Sequence, residues 1–277
     1  MVDIYEKLAE FKKDGKDAII ITVTAKEGMG PCDVGKKLII GSDGKFFGTI
    51  GGGAIEHYAI DRARELLIER KSFSENYILN DRNIEVKSGD VKLDMACGGS
   101  ATLFYEFVGP KQYVYIFGGG HCGAALARLL KPLGFYTVIV DNRKEIIDGL
   151  DDSANEKVCE GFAEYIKKHG LPDNRFVVVC TPSHISDYDV LDKILELKIK
   201  PKYFGMLCSK KKIADYLSKV YEKYGKDVDL SNFYSPIGLP TGGDSPEEVA
   251  VSIAAEILST FYGKDAINAH MRDTVKL

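Results

Sequence analysis

The sequence predicts an α/β protein in two parts: an N-terminal α+β domain with mixed or antiparallel strands over residues 1–109, then a Rossmann-like parallel-sheet domain over 110–277. Three observations carry that reading. Before Gly109-Pro110-Lys111, a linker-type stretch, one β-branched run and several short strands stand among amphipathic helices in no regular order. After it, short apolar runs alternate with helical patterns, the grammar of a parallel sheet covered on both faces. Gly118-x-Gly120-x-x-Gly123 stands between one such run and a helix.

The first helix is read at about Asp3 to Lys13, with Ile4, Leu8 and Phe11 on one face and Gly15 as its stop. AIIITVTA from Ala18 is a buried-type strand. Lys37–Ile40 and Lys45–Thr49 flank Ser42-Asp43-Gly44, a tight hairpin turn. Gly51-Gly52-Gly53 opens a helix whose Ile55, Ala59, Ala63, Leu66 and Leu67 recur at helical spacing. Short strands follow, ending with ATLFYEF at Ala101–Phe107.

In the second part, Tyr113–Phe117, Phe135–Asp141, Phe176–Cys180 and Tyr203–Leu207 read as strands with helical stretches between them. Ser245-Pro246-Glu247-Glu248 is a capping box with proline at the first helical position, and Val249, Ile253, Ile257 and Phe261 form the buried face of that last helix.

Composition narrows the function classes. Lys and Arg number 37 against 41 Asp and Glu, a net charge of -4. Up to Pro110 the count is 15 basic against 18 acidic, leaving 22 against 23 beyond it. Neither part is the basic body that phosphate-backbone binding needs, so nucleic acid is not an expected partner. With no apolar run long enough to span a bilayer and a charged N-terminus, the expectation is a soluble, cytoplasmic protein without a membrane partner. Six scattered cysteines form no C-x-x-C motif. Cys122, Cys159 and Cys180 lie in or beside apolar runs and read as small buried hydrophobes, and Cys32 as a structural loop thiol.

The residues that can carry chemistry fall into four groups. In the glycine motif, Gly118 permits a tight turn, Gly120 lets backbone approach a pyrophosphate, and Gly123 packs helix on strand; His121 borders the helix end, and Asp141, closing the next strand, can accept from a ribose hydroxyl. Gly48-Thr49-Ile50-Gly51-Gly52-Gly53 reads either as a second phosphate cradle or as a close turn that needs glycine for its backbone angles. Cys97, followed by Gly98 and Gly99, is either a metal or sulfur ligand on an open backbone or an ordinary turn cysteine. His184, after Thr181-Pro182-Ser183, is either a base or ligand at the sheet's carboxyl edge or a solvated residue in a helix start capped by Ser183 or Ser186. His57, His169 and His270 read as surface residues, and Lys210-Lys211-Lys212 as a solvated helix start. No GxSxG, HExxH or Walker sequence is present.

Several segments together resemble the XdhC/CoxI family, the xanthine dehydrogenase accessory factors. They are GTIGGGAIE at Gly48–Glu56, MACGGSATLFYE at Met95–Glu106, FGGGHCGAALARLLKPLGFYTVIVDNR at Phe117–Arg143, YFGMLCSKKK at Tyr203–Lys212, and SPIGLPTGGDSPEEVAVSIAAEI at Ser235–Ile257. The resemblance implies an accessory protein that binds molybdenum cofactor (molybdopterin with its metal), supports its sulfuration with a cysteine desulfurase, and delivers it to an apo molybdenum hydroxylase. It makes the two glycine loops anion-binding ends and Cys97 the candidate sulfur near the metal.

The sequence departs from the family in three places. The family's E-G-S-x-P-R loop is Glu27-Gly28-Met29-Gly30-Pro31-Cys32 here, without the serine and the arginine; if that arginine meets a phosphate in the family, its absence weakens the carry-over or changes the ligand, since Cys32 cannot supply a charge-assisted fork. The family's T-H-x-H is Thr181-Pro182-Ser183-His184, with one histidine gone, and Pro240-Thr241-Gly242-Gly243-Asp244 is unusual after SPIGL. These departures suit a branch serving a hydroxylase other than xanthine dehydrogenase. Two other readings compete: an NAD(P)-dependent oxidoreductase in which Asp141 favours NAD by repelling a 2′-phosphate, and a scaffold that binds maturation partners without holding cofactor. A homodimer is the expected assembly, since closed two-fold dimers are the commonest soluble homo-oligomers.

Overall fold

A computed structural model describes residues 3–79, 88–95 and 98–264. The chain divides into two compact units, Met1–Pro110 and Lys111–Leu277. Cys97 and His270 lie outside the described residues.

The first unit runs α1 (Ile4–Lys13), β1 (Ala18–Glu27), β2 (Lys37–Gly41), β3 (Phe46–Gly48), α2 (Gly53–Glu69), β4 (Phe73–Leu79), β5 (Val91–Leu93) and β6 (Ser100–Val108). Its sheet has the order β3-β2-β1-β6-β4-β5, antiparallel throughout except for the parallel β4–β5 pair. The Ala18 run reads as continuously apolar because both faces of β1 are covered. Ile19, Ile21 and Val23 join Ile55, Ala59, Ala63 and Leu66 of α2 in one core, while Ala18 and Ile20 meet Phe11 of α1 on the other side. Two buried phenols hydrogen-bond across the sheet, Tyr77 to Tyr105 at 2.6 Å, and Tyr77 also donates to Glu75. Pairing satisfies hydroxyls that would otherwise be stranded in the core.

The second unit runs β7 (Tyr113–Phe117), α3 (His121–Leu130), β8 (Tyr136–Asp141), α4 (Lys144–Gly149), β9 (Glu156–Cys159), α5 (Phe162–His169), β10 (Phe176–Val179), α6 (His184–Glu196), β11 (Tyr203–Met206), α7 (Lys210–Tyr224), β12 (Phe233–Tyr234) and α8 (Pro246–Tyr262). All its strands are parallel, in the order β12-β11-β10-β7-β8-β9. That is the doubly wound dinucleotide-binding arrangement, with the order reversing between β7 and β10. One face is covered by α3 and α8, whose Leu126, Leu130, Ile253 and Ile257 pack over Val114, Ile116, Phe176 and Val178. The other is covered by α5, α6 and α7. Cys159 departs from expectation: it is exposed, because β9 is the edge strand and shows most of its residues to solvent. Cys122 and Cys180 are part-buried against the core, and Cys32 is fully buried.

The SPIGL segment is strapped to α8. Glu256, buried within the helix, accepts from Tyr203 Oη at 2.5 Å and from the Gly238 amide at 3.0 Å, while Ser252 Oγ donates to the Leu239 carbonyl at 2.5 Å. At the start of α8, Ser245 and Glu248 form the reciprocal capping box, and no described helix is long and apolar enough to cross a membrane. Urea denaturation followed by far-ultraviolet circular dichroism will separate the two devices. Ser245→Ala is expected to cost about 1 kcal/mol, the usual worth of a serine cap. Glu256→Ala is expected to cost about 3 kcal/mol, because it strands a buried phenol and a part-buried amide together.

Candidate functional site

In the first unit three loops interlock through their main chains. A side chain at Gly51, whose φ is +139°, would collide with the Pro31 carbonyl, and one at Gly99 would collide with the Glu27 carbonyl. A Cβ at Gly28 would stand 3.0 Å from Gly99 Cα, and one at Gly53 would stand 3.7 Å from Met95 Cε. The 27–32 loop, the 48–53 loop and the residues flanking Cys97 are therefore gathered in one place. Gly52 and Gly98 differ from these, since a Cβ on either would meet nothing within 4 Å. At those two positions a ligand can lie directly on backbone.

Three amides of the 48–53 loop already have acceptors within the chain. Glu56, in the first turn of α2, turns its carboxylate back into the loop and accepts from Thr49 Oγ1 at 2.5 Å, the Ile50 amide at 2.9 Å and the Gly52 amide at 3.1 Å. The Gly51 amide is taken by Thr49 Oγ1 at 3.1 Å. The turn carries its own anion, placed where the helix dipole favours one. Partial burial works against ionisation of Glu56, yet the bonds from Thr49, Ile50 and Gly52 outweigh it and hold the carboxyl below its ordinary value of 4.5. The glycines here serve the close approach of loops.

In the second unit the three motif glycines divide their work. The Gly118 amide donates to the Val140 carbonyl at 2.9 Å; a side chain on Gly118 would strike the Cys180 carbonyl, and one on Gly123 would strike the Gly118 carbonyl. Gly120, the N-cap of α3, has ordinary helix-entry angles and nothing within 4 Å of a built Cβ. It is the one of the three that faces open space, as the pyrophosphate-approach role requires. Gly119, Gly120, His121, Arg143, Glu145 and Glu247 help to line a cavity of about 310 Å³ at this turn, and His121 is exposed beside it.

Asp141 does not present its carboxylate to that cavity. It has no exposed surface; Oδ2 accepts from the Gly119 amide at 2.8 Å and Arg143 Nη2 at 2.7 Å, and Oδ1 from the Arg143 amide at 3.0 Å and Nε at 2.9 Å. Four donors fill its lone pairs, so the expected ribose acceptor is an internal brace that ties the glycine turn to the end of β8. Burial opposes its ionisation, but the Arg143 fork and the two amides prevail and its carboxyl lies below the ordinary range. Arg143 is the residue the sequence reading missed. Its signal was its place two positions beyond the strand-ending acid, where a guanidinium can fold back as a bidentate partner.

His184 is the first residue of α6 and is exposed; its carbonyl accepts from Tyr216 Oη at 2.9 Å. Ser183 is the cap, accepting from the Ser186 amide at 3.1 Å. Asp187 is buried and turned to Thr181, accepting from Oγ1 at 2.6 Å, so burial raises its carboxyl while the threonine opposes the rise. These are capping contacts of a helix start. Among the described residues no group of three or more His, Cys, Asp or Glu is placed to hold a metal ion. Gly51, Gly52, Gly53, Gly98 and Gly99 are gathered within the first unit, and Gly118, Gly120, Gly123, His121, Asp141 and His184 within the second.

Comparison with known proteins agrees with this architecture. Residues 114–257 match the family described as the XdhC Rossmann domain, and residues 12–77 match the XdhC and CoxI family. The chain is 27% identical over 224 residues to the uncharacterised protein YqeB of Escherichia coli K12, covering 80% of this chain and 40% of that protein. It is 28% identical over 162 residues to a Bacillus subtilis 168 protein described as a probable xanthine dehydrogenase component, covering 58% and 46%. The chain thus spans less than half the length of either relative. In fold it is similar to a crystallised protein of Bacillus halodurans described as a xanthine dehydrogenase, with a TM-score of 0.51 at 18% identity over 98% of this chain and 99% of that one.

Two measurements check the assignments made from geometry. Gly120→Ala is expected to leave the melting temperature unchanged, whereas Gly123→Ala, three residues on in the same motif, is expected to cost about 3 kcal/mol by overpacking against the Gly118 carbonyl. Glu56 has a depressed folded-state pKa, so its contribution is present above 4.5 and is lost as pH falls through the folded value. Stability measured by urea denaturation between about pH 3 and pH 6 is expected to fall on the acid side in the parent chain, and to fall less steeply in Glu56→Gln.

Proposed function

The chain belongs to the XdhC and CoxI family, and on that premise we propose that it is an accessory factor in the maturation of a molybdenum hydroxylase of the xanthine dehydrogenase class. In this reading it takes up molybdenum cofactor as cargo, supports its sulfuration with a cysteine desulfurase, and delivers it to the apo hydroxylase, working as a homodimer in the cytoplasm. The observation that carries the reading is the interlock of the 27–32 and 48–53 loops with the residues flanking Cys97, which leaves open backbone at Gly52 and Gly98. A planar, oxygen-sensitive ligand is well served by main chain it can lie against. The amides of Ile50, Gly51 and Gly52 are not part of the proposal, because Glu56 and Thr49 already hold them.

A second reading, nucleotide binding by the Rossmann unit, is favoured by the doubly wound strand order and by the open Gly120. It no longer carries a preference for NAD over NADP, since Asp141 is neutralised by Arg143 and faces inward.

Anaerobic titration with molybdenum cofactor, followed by absorbance and co-elution, tests the first reading beside parallel NAD(H) and NADP(H) titrations. Stoichiometric retention of the cofactor, weakened at least about tenfold in Cys97→Ser, is the expected outcome; tenfold corresponds to about 1.4 kcal/mol. Absence of retention together with saturable nucleotide binding overturns the cargo reading in favour of the second. Absence of both, with a stable complex between this chain and an apo hydroxylase, leaves a scaffold.

A further inference from the structure

The second unit has a cavity of about 470 Å³ at the amino ends of its parallel strands, the edge opposite the glycine turn. The last turn of α6, the start of β11 and the 228–233 segment leading into β12 enclose it. Its walls are apolar: Ile194, Ile199, Phe204, Val228 and Phe233, with the centroids of the two phenylalanine rings 5.1 Å apart. Its charged lining is mainly cationic. Lys198 and Lys200 are exposed there, and among the described residues no hydrogen bond or ion pair holds either ammonium. The acid in the lining, Asp229, is turned to its own loop, where it accepts from the Ser231 amide at 3.0 Å. Asp173 nearby accepts from the Lys200 amide at 2.9 Å.

The way α6 ends points to the same place. α5, α7 and α8 end on Gly170, Gly225 and Gly263, each at positive φ. α6 instead runs through Leu197 to Lys198 at φ +54°, a left-handed position that disfavours a side chain. Arg70, at φ +56° where α2 ends, is the comparable case, and its guanidinium is used within the chain by Asp17 and the Pro110 carbonyl. Lys198 makes no such bond among the described residues, so the ammonium kept at this strained position has its acceptor outside the chain. We propose that the cavity binds a small anion with an apolar body, of which a medium-chain carboxylate is the simplest. Its apolar body lies against the Phe204, Val228 and Phe233 wall, and its charged end is paired by Lys198 and Lys200. The wall supplies most of the affinity, and the two ammonium groups select the sign of the charge.

The test is calorimetric titration of the full chain with octanoate, octan-1-ol and octylamine. Octanoate is expected to bind saturably, octan-1-ol about tenfold more weakly, and octylamine more weakly still; tenfold is the worth of one charge-assisted hydrogen bond. Lys198→Gly is expected to act in two opposite directions. It raises the melting temperature, because the left-handed position then carries no Cβ, and it weakens octanoate about tenfold while leaving octan-1-ol unchanged. Val228→Trp, which fills the cavity, is expected to abolish binding of both, with melting curves checking that the fold persists. The proposal is overturned if octanoate does not bind saturably, or if octylamine binds as tightly as octanoate. It is equally overturned if octanoate affinity is unchanged in Lys198→Gly or in a folded Val228→Trp.

Discussion

The second unit depends on main chain pressed against main chain. Gly118 rests on the carbonyl of Cys180, and Gly123 rests on the carbonyl of Gly118, with no space for a methyl group at either contact. Because close-packed interiors do not yield by that much, these contacts set the distance from β7 to β10 and the angle at which α3 leaves the sheet. The turn into α3 takes its shape from them, and Gly120 at its end stays open. A sheet that opened at this point would lose the crevice that makes the fold useful to a ligand.

A second constraint recurs in both units: a glycine turn is braced by a carboxylate from its own chain. Glu56 gathers the Thr49 hydroxyl with the Ile50 and Gly52 amides, and Asp141 gathers the Gly119 amide with Arg143. Amides at a helix entrance must find an acceptor, and an internal carboxylate supplies one that never dissociates. The two turns are alike in composition but unlike in what remains. In the first the Ile50, Gly51 and Gly52 amides are already taken; in the second, Gly120 still offers an approach to the helix end.

Much of the fold was legible because its signals are local. The β-branched run of β1, the Ser42-Asp43-Gly44 hairpin between β2 and β3, and the Ser245–Glu248 capping box each depend on residues a few positions apart. The site was legible in its glycines but not in its acids. Nothing in the spacing from Gly53 to Glu56 says that the glutamate turns back into the loop. That Asp141 is claimed by Arg143 depends on where β8 ends relative to the Gly119 amide, 22 residues earlier. Cys159 was misread for a related reason, since an apolar neighbourhood in sequence does not reveal that β9 lies at the edge of its sheet. The pairing of β5 parallel to β4 is likewise a matter of topology that three residues cannot announce.

The packing of α8 has a consequence for how the chain is made. The core over one face of the parallel sheet is shared between α3, near the start of the second unit, and α8, which begins at Pro246. A nascent chain emerging from the ribosome therefore exposes the apolar face of α3 until the segment through residue 262 has cleared the exit tunnel. The first unit is different, since all the elements of its sheet lie before Pro110 and can close while the second is still being synthesised. Translation thus leaves a long interval in which the half-built Rossmann unit is the vulnerable species, and chaperone demand falls there.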